Sequence, residues 1–107
     1  MANTFVNAHG EAPSSTAAAY TVPSSTSTIV FGGSFSNIDG VNEVDISVTV
    51  VDTSAGTTKF ILDALPIPIN DTYTLDAKIV LETTDTINIY SSATGDVDYT
   101  LALLEIT

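Results

Sequence analysis

An all-β fold is what this sequence predicts: an antiparallel β-sandwich or jelly roll of about seven or eight strands, with an extended N-terminal arm. Three observations lead there. After Thr26, apolar residues recur at every second position through most of the chain, the period of a half-buried strand. Turn residues punctuate these runs at intervals of about 8–12 residues. Helix is nearly absent: Ala17–Ala19 can seed one turn, but the flanking Ser, Thr and Pro residues stop it. The expected division is an arm over residues 1–25 and a β-sandwich domain over residues 26–107.

The arm is small and polar, with Pro13 and Pro23 and only scattered larger side chains at Phe5, Val6, Tyr20 and Val22. Such a segment cannot offset its ordering entropy unless it lies against something else. Tyr20-Thr21-Val22 can add a short edge strand that Pro23 ends. In Thr26–Ile38, two apolar stretches are broken by Gly32-Gly33, which signals a bulge, a bend, a tight turn or a close backbone approach. A phosphate-cradling loop is excluded because the remaining glycines and the lysine of that motif are missing.

Asp39-Gly40 is a favoured hairpin pair. Val44–Val50 then alternates cleanly and places Val44, Ile46, Val48 and Val50 in the core, before Asp52–Gly56 turns the chain. Thr57–Leu65 is a strand whose faces are both partly apolar, so its orientation stays open. In Leu65-Pro66-Ile67-Pro68-Ile69 each proline removes a ladder donor, which predicts an extended connection rather than a central strand. Ile67 and Ile69 then either cap the sandwich or face a partner.

The C-terminal third carries three strand patterns. Tyr73, Leu75, Ala77, Ile79 and Leu81 share one face of the first, and Val80 alone breaks its alternation. Thr86–Ser91 turns Ile87 and Ile89 inward, and the last strand turns Val97, Tyr99, Leu101 and Leu103 inward.

Composition narrows the chemistry. The chain has 107 residues, 44% of them hydrophobic, enough for one core. It has no cysteine, which excludes disulfides and thiolate metal sites. Thirteen acidic residues against two lysines and no arginine give a net charge of -11, which argues against nucleic acid and against an anionic membrane surface. No run of 18 apolar residues is present, and the first residues lack a basic and apolar leader pattern, so synthesis in a cytosol is expected.

A catalytic site is not expected. The only histidine, His9, lies in the arm, where no base can be held in register with a nucleophile. Asp96 and Asp98 are two apart, with Asp85 in the preceding turn, but the spacing of a calcium loop is missing and there is no tryptophan to grip a sugar. No cofactor or metal is called for. A carbohydrate-binding or host-adhesion module is an alternative on fold analogy, with the outward Tyr90 and the acids near Asp96 as its candidates.

Residues 54–107 also resemble the short β-sandwich virion structural proteins of tailed bacteriophages. The resemblance rests on Leu75, Lys78, Ile79, Val80, Leu81, Glu82, Asp85 and Ile87, with Leu104-Glu105-Ile106 at the end. It implies a capsid cement or decoration protein on the particle exterior, or a tail, neck or baseplate subunit. The implied partners are the major capsid protein or other virion subunits, with a homo-oligomer, dimer or trimer, following local symmetry. Phe5, Val6, Tyr20 and Val22 are the expected arm anchors, joined by Ile67 and Ile69.

Overall fold

The computed structural model describes residues 3–107, so the first two residues of the expected arm lie outside the described residues. Nine strands occur among the described residues: β1 (Asn3–Glu11), β2 (Ala17–Thr21), β3 (Ser27–Asn37), β4 (Val44–Asp52), β5 (Thr57–Ile67), β6 (Thr72–Leu75), β7 (Ile79–Leu81), β8 (Thr86–Ser91) and β9 (Val97–Ile106). They form two antiparallel sheets. Sheet A has the order β1-β9-β3-β6, with β7 also on β3, and sheet B has the order β2-β8-β4-β5.

The pairings show how the chain is wound. β1 lies on β9, β2 on β8, β3 on β6 and β7, and β4 on β5. The chain is thus one long hairpin ribbon, folded back at residues 53–56 and rolled so that successive pairs fall alternately in the two sheets. β3 on β9 and β4 on β8 complete the sheets. Counting β6 and β7 as one interrupted strand gives the eight-stranded jelly roll.

Alternation decides what the roll encloses. Val30 and Phe35 of β3, Val44, Ile46 and Val48 of β4, Ile87 and Ile89 of β8, and Val97, Leu101 and Leu103 of β9 are all buried. Full burial of each such side chain stabilises by roughly 1.5–3 kcal/mol. Asn37 also points inward, and its amide donates to the carbonyls of Asn42, Ile67 and Pro68 at 3.0, 3.0 and 3.2 Å, tying two crossovers together at one end.

Four expectations change. The arm is not a separate extended segment: residues 3–11 and 17–21 are edge strands of the two sheets. Their apolar side chains are mostly small, with Val6, Ala8, Ala19 and Tyr20 packed partly against the core, and the ladders offered by β9 and β8 pair their backbones. Asp39-Gly40 is not a hairpin turn, because β3 and β4 lie in different sheets and residues 38–43 cross between them. There the Asp39 carboxylate accepts from the backbone N–H of Val41 and Asn42, at 2.8 and 3.2 Å. The strand expected through Tyr73–Leu81 is broken at residues 76–78, although its alternation survives the break: Leu75 and Leu81 are buried and Val80 is exposed.

Lastly, β5 continues through Pro66 to Ile67. It is an edge strand, where a missing donor faces no partner. Its register shifts twice against β4, which is why both of its faces read as partly apolar. Gly32-Gly33 does mark a bulge with close backbone approach: the register shifts between Val30 and Gly32, and a Cβ on Gly32 would lie 2.5 Å from the Leu75 carbonyl oxygen.

Candidate functional site

Residues paired across strands share a face, and on sheet A this builds a row. Phe5 of β1 pairs with Leu104 of β9, Leu104 with Ile29 of β3, and Ile29 with Val80 of β7. Their neighbours Leu103, Val30 and Leu81 are buried, so these four side chains point outward. Phe5 is 78% exposed and Val80 71%. Phe31, the extra residue of the β3 bulge, joins them with its ring 6.2 Å from that of Phe5, tilted by 33°. Phe5, Phe31 and Val80 are exposed and Ile29 and Leu104 half-buried, and such a run of apolar side chains in register on one face is the kind of surface that marks an interaction site; scattered singles do not.

Across β1, β9 and β3 the surroundings are uncharged. Asn3, Ile106 and Ser27 flank the row on one side, and Asn7, Ala102 and Gly32 on the other. Ionised groups begin at the margins: Asp76, Lys78 and Glu82 along the broken β6–β7 edge, and Glu11 and Asp98 at the far end of the sheet. Glu105 lies between Leu104 and Ile106 but is turned toward sheet B, where it accepts a hydrogen bond from the Tyr20 hydroxyl at 2.5 Å. That carboxylate, with burial as the larger cause, pushes the Tyr20 pKa up to about 12. Beside Phe31 the bare backbone of Gly32 and Gly33 leaves a shallow open hollow of about 490 Å³, bordered by Thr74, Thr100 and Ala102. The face therefore offers a ridge and an adjoining depression, suited to packing against another surface.

The six residues expected to touch partners divide three ways. Phe5 and Ile69 are exposed, and Phe5 stands at the end of the row. Val22 and Ile67 are buried at 2% and 1%, so neither is available to a partner; alternation sends both inward. Val6 packs partly against the core, and Tyr20 is engaged with Glu105 and, at 2.9 Å, with the Thr28 hydroxyl. Ile29, Phe31, Val80 and Leu104 belong to the face but were not singled out as partner residues. The break in alternation at Val80 is the signal that reveals it.

Other groupings assemble differently from expectation. Asp85 sits at the opposite end of the sandwich from Asp96 and Asp98, so those three do not meet. It is buried, and its carboxylate accepts from the backbone N–H of Thr53 at 3.1 Å and of Glu82 at 2.9 Å, lashing two turns together. Asp52, Glu82 and Asp85 bring carboxylate oxygens within 4.8 Å of one another. His9 is exposed on β1, with Nδ1 donating to Asn7 Oδ1 at 2.9 Å. Tyr90 borders a small groove with Ser14, Asp45 and Ser92 on sheet B, as a single aromatic without a second ring to form a sugar platform.

The sequence matches no protein-family model and no curated protein. Among solved structures, a chain from infectious bursal disease virus, Gx strain, is similar over 98% of this chain and 33% of its own length, with 13% identity and a TM-score of 0.54. A pentameric capsid protein isolated from metagenomic phage sequences is similar over 91% of this chain and 59% of its own, with 13% identity and a TM-score of 0.48. A chain from the disulfide-linked pili of Bacillus endospore appendages is similar over 99% and 87%, with 18% identity and a TM-score of 0.48. This chain thus spans only part of the viral proteins it resembles. At such identities the likeness concerns architecture alone: the chain is an all-β antiparallel sandwich of a kind also found in viral proteins.

Proposed function

We propose that the protein is a non-enzymatic structural subunit of a viral particle, decorating the exterior of a capsid and reinforcing contacts between its subunits. The observation that carries this reading is the uncharged apolar row Phe5–Leu104–Ile29–Val80 on a chain of net charge -11. The jelly roll supports it, since viral capsid domains use that architecture, and so does the similarity to a chain of a viral particle. The major capsid protein is the partner this reading names. Apolar burial on sheet A supplies the contact, and the acidic remainder of the surface opposes non-specific association.

The mechanism is mass action. A protein that binds only the assembled lattice stabilises it by RT ln(1 + [L]/Kd) per site, repeated over every copy. A tail or baseplate position would use the same face against a different neighbour. Cryo-electron microscopy of the purified particle tests the proposal directly. The expected result is density on the capsid exterior with the sheet A row against a neighbouring subunit. Density in the tail replaces the capsid placement, and a particle without this chain overturns the reading.

A further inference from the structure

Every open sheet has two edges, and an edge strand with free backbone donors and acceptors invites pairing with another chain. Four edges exist here, at β1 and β6–β7 in sheet A and at β2 and β5 in sheet B. Three are guarded. β5 contains Pro66, two register shifts and Ala64 at φ 50°. β6 and β7 have four and three residues and are interrupted at residues 76–78. β2 has five residues and shifts register between Ala18 and Tyr20.

β1 lacks all of these devices. It runs nine residues in unbroken register along β9, with no proline, no lysine and no bulge, and its only carboxylate is Glu11 at one end. Among the described residues no strand pairs with its other side. From this contrast we infer that β1 is an assembly edge, and that its occupant is the β1 strand of a second copy, paired antiparallel about a two-fold axis at Asn7.

Self-complementarity selects a second copy. Full overlap of Asn3–Glu11 with itself puts Asn7 opposite Asn7, Phe5 opposite His9 and Glu11 opposite Asn3. No carboxylate then faces a carboxylate, although each chain carries thirteen acidic residues. A basic partner strand would be met instead by acids along the edge, and eight of the nine positions have none. The contact is isologous and closes after two copies, so it gives a dimer and no fibre. Because the axis passes through the sheet, the outward faces of both copies lie on the same side. The two apolar rows, each ending at Phe5, then form one broader face. The inference stands independently of the virion reading, since it concerns the purified chain alone.

The test is sedimentation of the full chain up to about 100 µM, a range that detects weak pairs, together with two variants. The expected result is a reversible dimer whose dissociation constant rises at least about tenfold in Asn7→Lys, equivalent to about 1.4 kcal/mol. At concentrations below the dissociation constant, the circular dichroism spectrum and melting temperature of that variant stay unchanged. Asn7→Cys, in a chain otherwise free of cysteine, forms an intermolecular disulfide under mild oxidation, while Thr72→Cys on the guarded β6 edge does not. A monomer throughout the range, a dimer indifferent to Asn7→Lys, or equal cross-linking from both cysteines overturns the inference.

Discussion

The outward faces of the two sheets cover the same core and are built from different residues. On sheet B the row running β2, β8, β4, β5 reads Ala18, Asn88, Thr49, Phe60, and another reads Thr21, Thr86, Val51, Thr58. On sheet A the comparable row reads Phe5, Leu104, Ile29, Val80. Sheet B shows that this roll needs no apolar outer row to hold its core. Packing within the fold therefore does not account for the four residues on sheet A, whereas the contact proposed for this face would.

The sharpest way to break this comparison is to truncate adjacent residues of β9 that face opposite ways. Leu103→Ala removes a side chain that is 1% exposed and should cost about 2–5 kcal/mol. Leu104→Ala, on the outer row, should stay within about 1 kcal/mol. Urea titration of both variants measures the difference. Equal losses would mean that the outer row is part of the folding core.

A smaller effect is expected where the sheets are joined. Tyr20 of sheet B bonds Glu105 of sheet A, and Tyr20→Phe should cost about 1 kcal/mol, the lower end for a hydrogen bond to a charged group because the site is half exposed. With the Tyr20 pKa raised to about 12, the stability from its neutral form is complete below about pH 10 and is lost as pH rises through about 12. Thermal melts at pH 9 and pH 12 should therefore converge for wild type and variant at the higher pH.

The smallest effect belongs to the loops that link the sheets. Asp96 is raised by desolvation first and then by the nearby Asp39 carboxylate, whereas Asp39 is lowered by the backbone N–H groups of Val41 and Asn42. A carboxyl with a raised pKa favours the fold when protonated, and that advantage is lost as pH rises through its folded value. Asp96→Asn should accordingly raise the melting temperature slightly at neutral pH and leave it unchanged near pH 3. Differential scanning calorimetry at the two pH values checks this, and a lower melting temperature at neutral pH would reverse the assignment of repulsion.

Much of the fold was legible because alternation is a local signal. Val44, Ile46, Val48, Ile87, Ile89, Leu101 and Leu103 were placed in the core by spacing alone, and all are buried. What spacing cannot carry is pairing between distant strands. Asn3–Glu11 reads as an unsupported arm because the strand that holds it, Val97–Ile106, lies at the other end of the chain. The same blindness affected the candidate site. Phe5 could be suspected as a lone exposed aromatic, but its row requires knowing that Leu104, Ile29 and Val80 stand beside it. Val22 and Ile67 read as partner residues because prolines nearby hide the parity that turns them inward; for Ile67 the buried alternative is the one the structure shows.

The rolled ribbon also sets how the protein can fold. β9 is the strand on which both β1 and β3 depend, and it lies far from both in the sequence. Sheet A therefore assembles only by long-range pairing, whereas the β4–β5 hairpin of sheet B has its partner close in sequence. Folding dominated by long-range pairing is a slow class of search, during which β1 and β3 wait unpaired. For such a chain the -11 charge has a temporal use: it opposes indiscriminate association through the interval in which the strands of different copies are most open to one another.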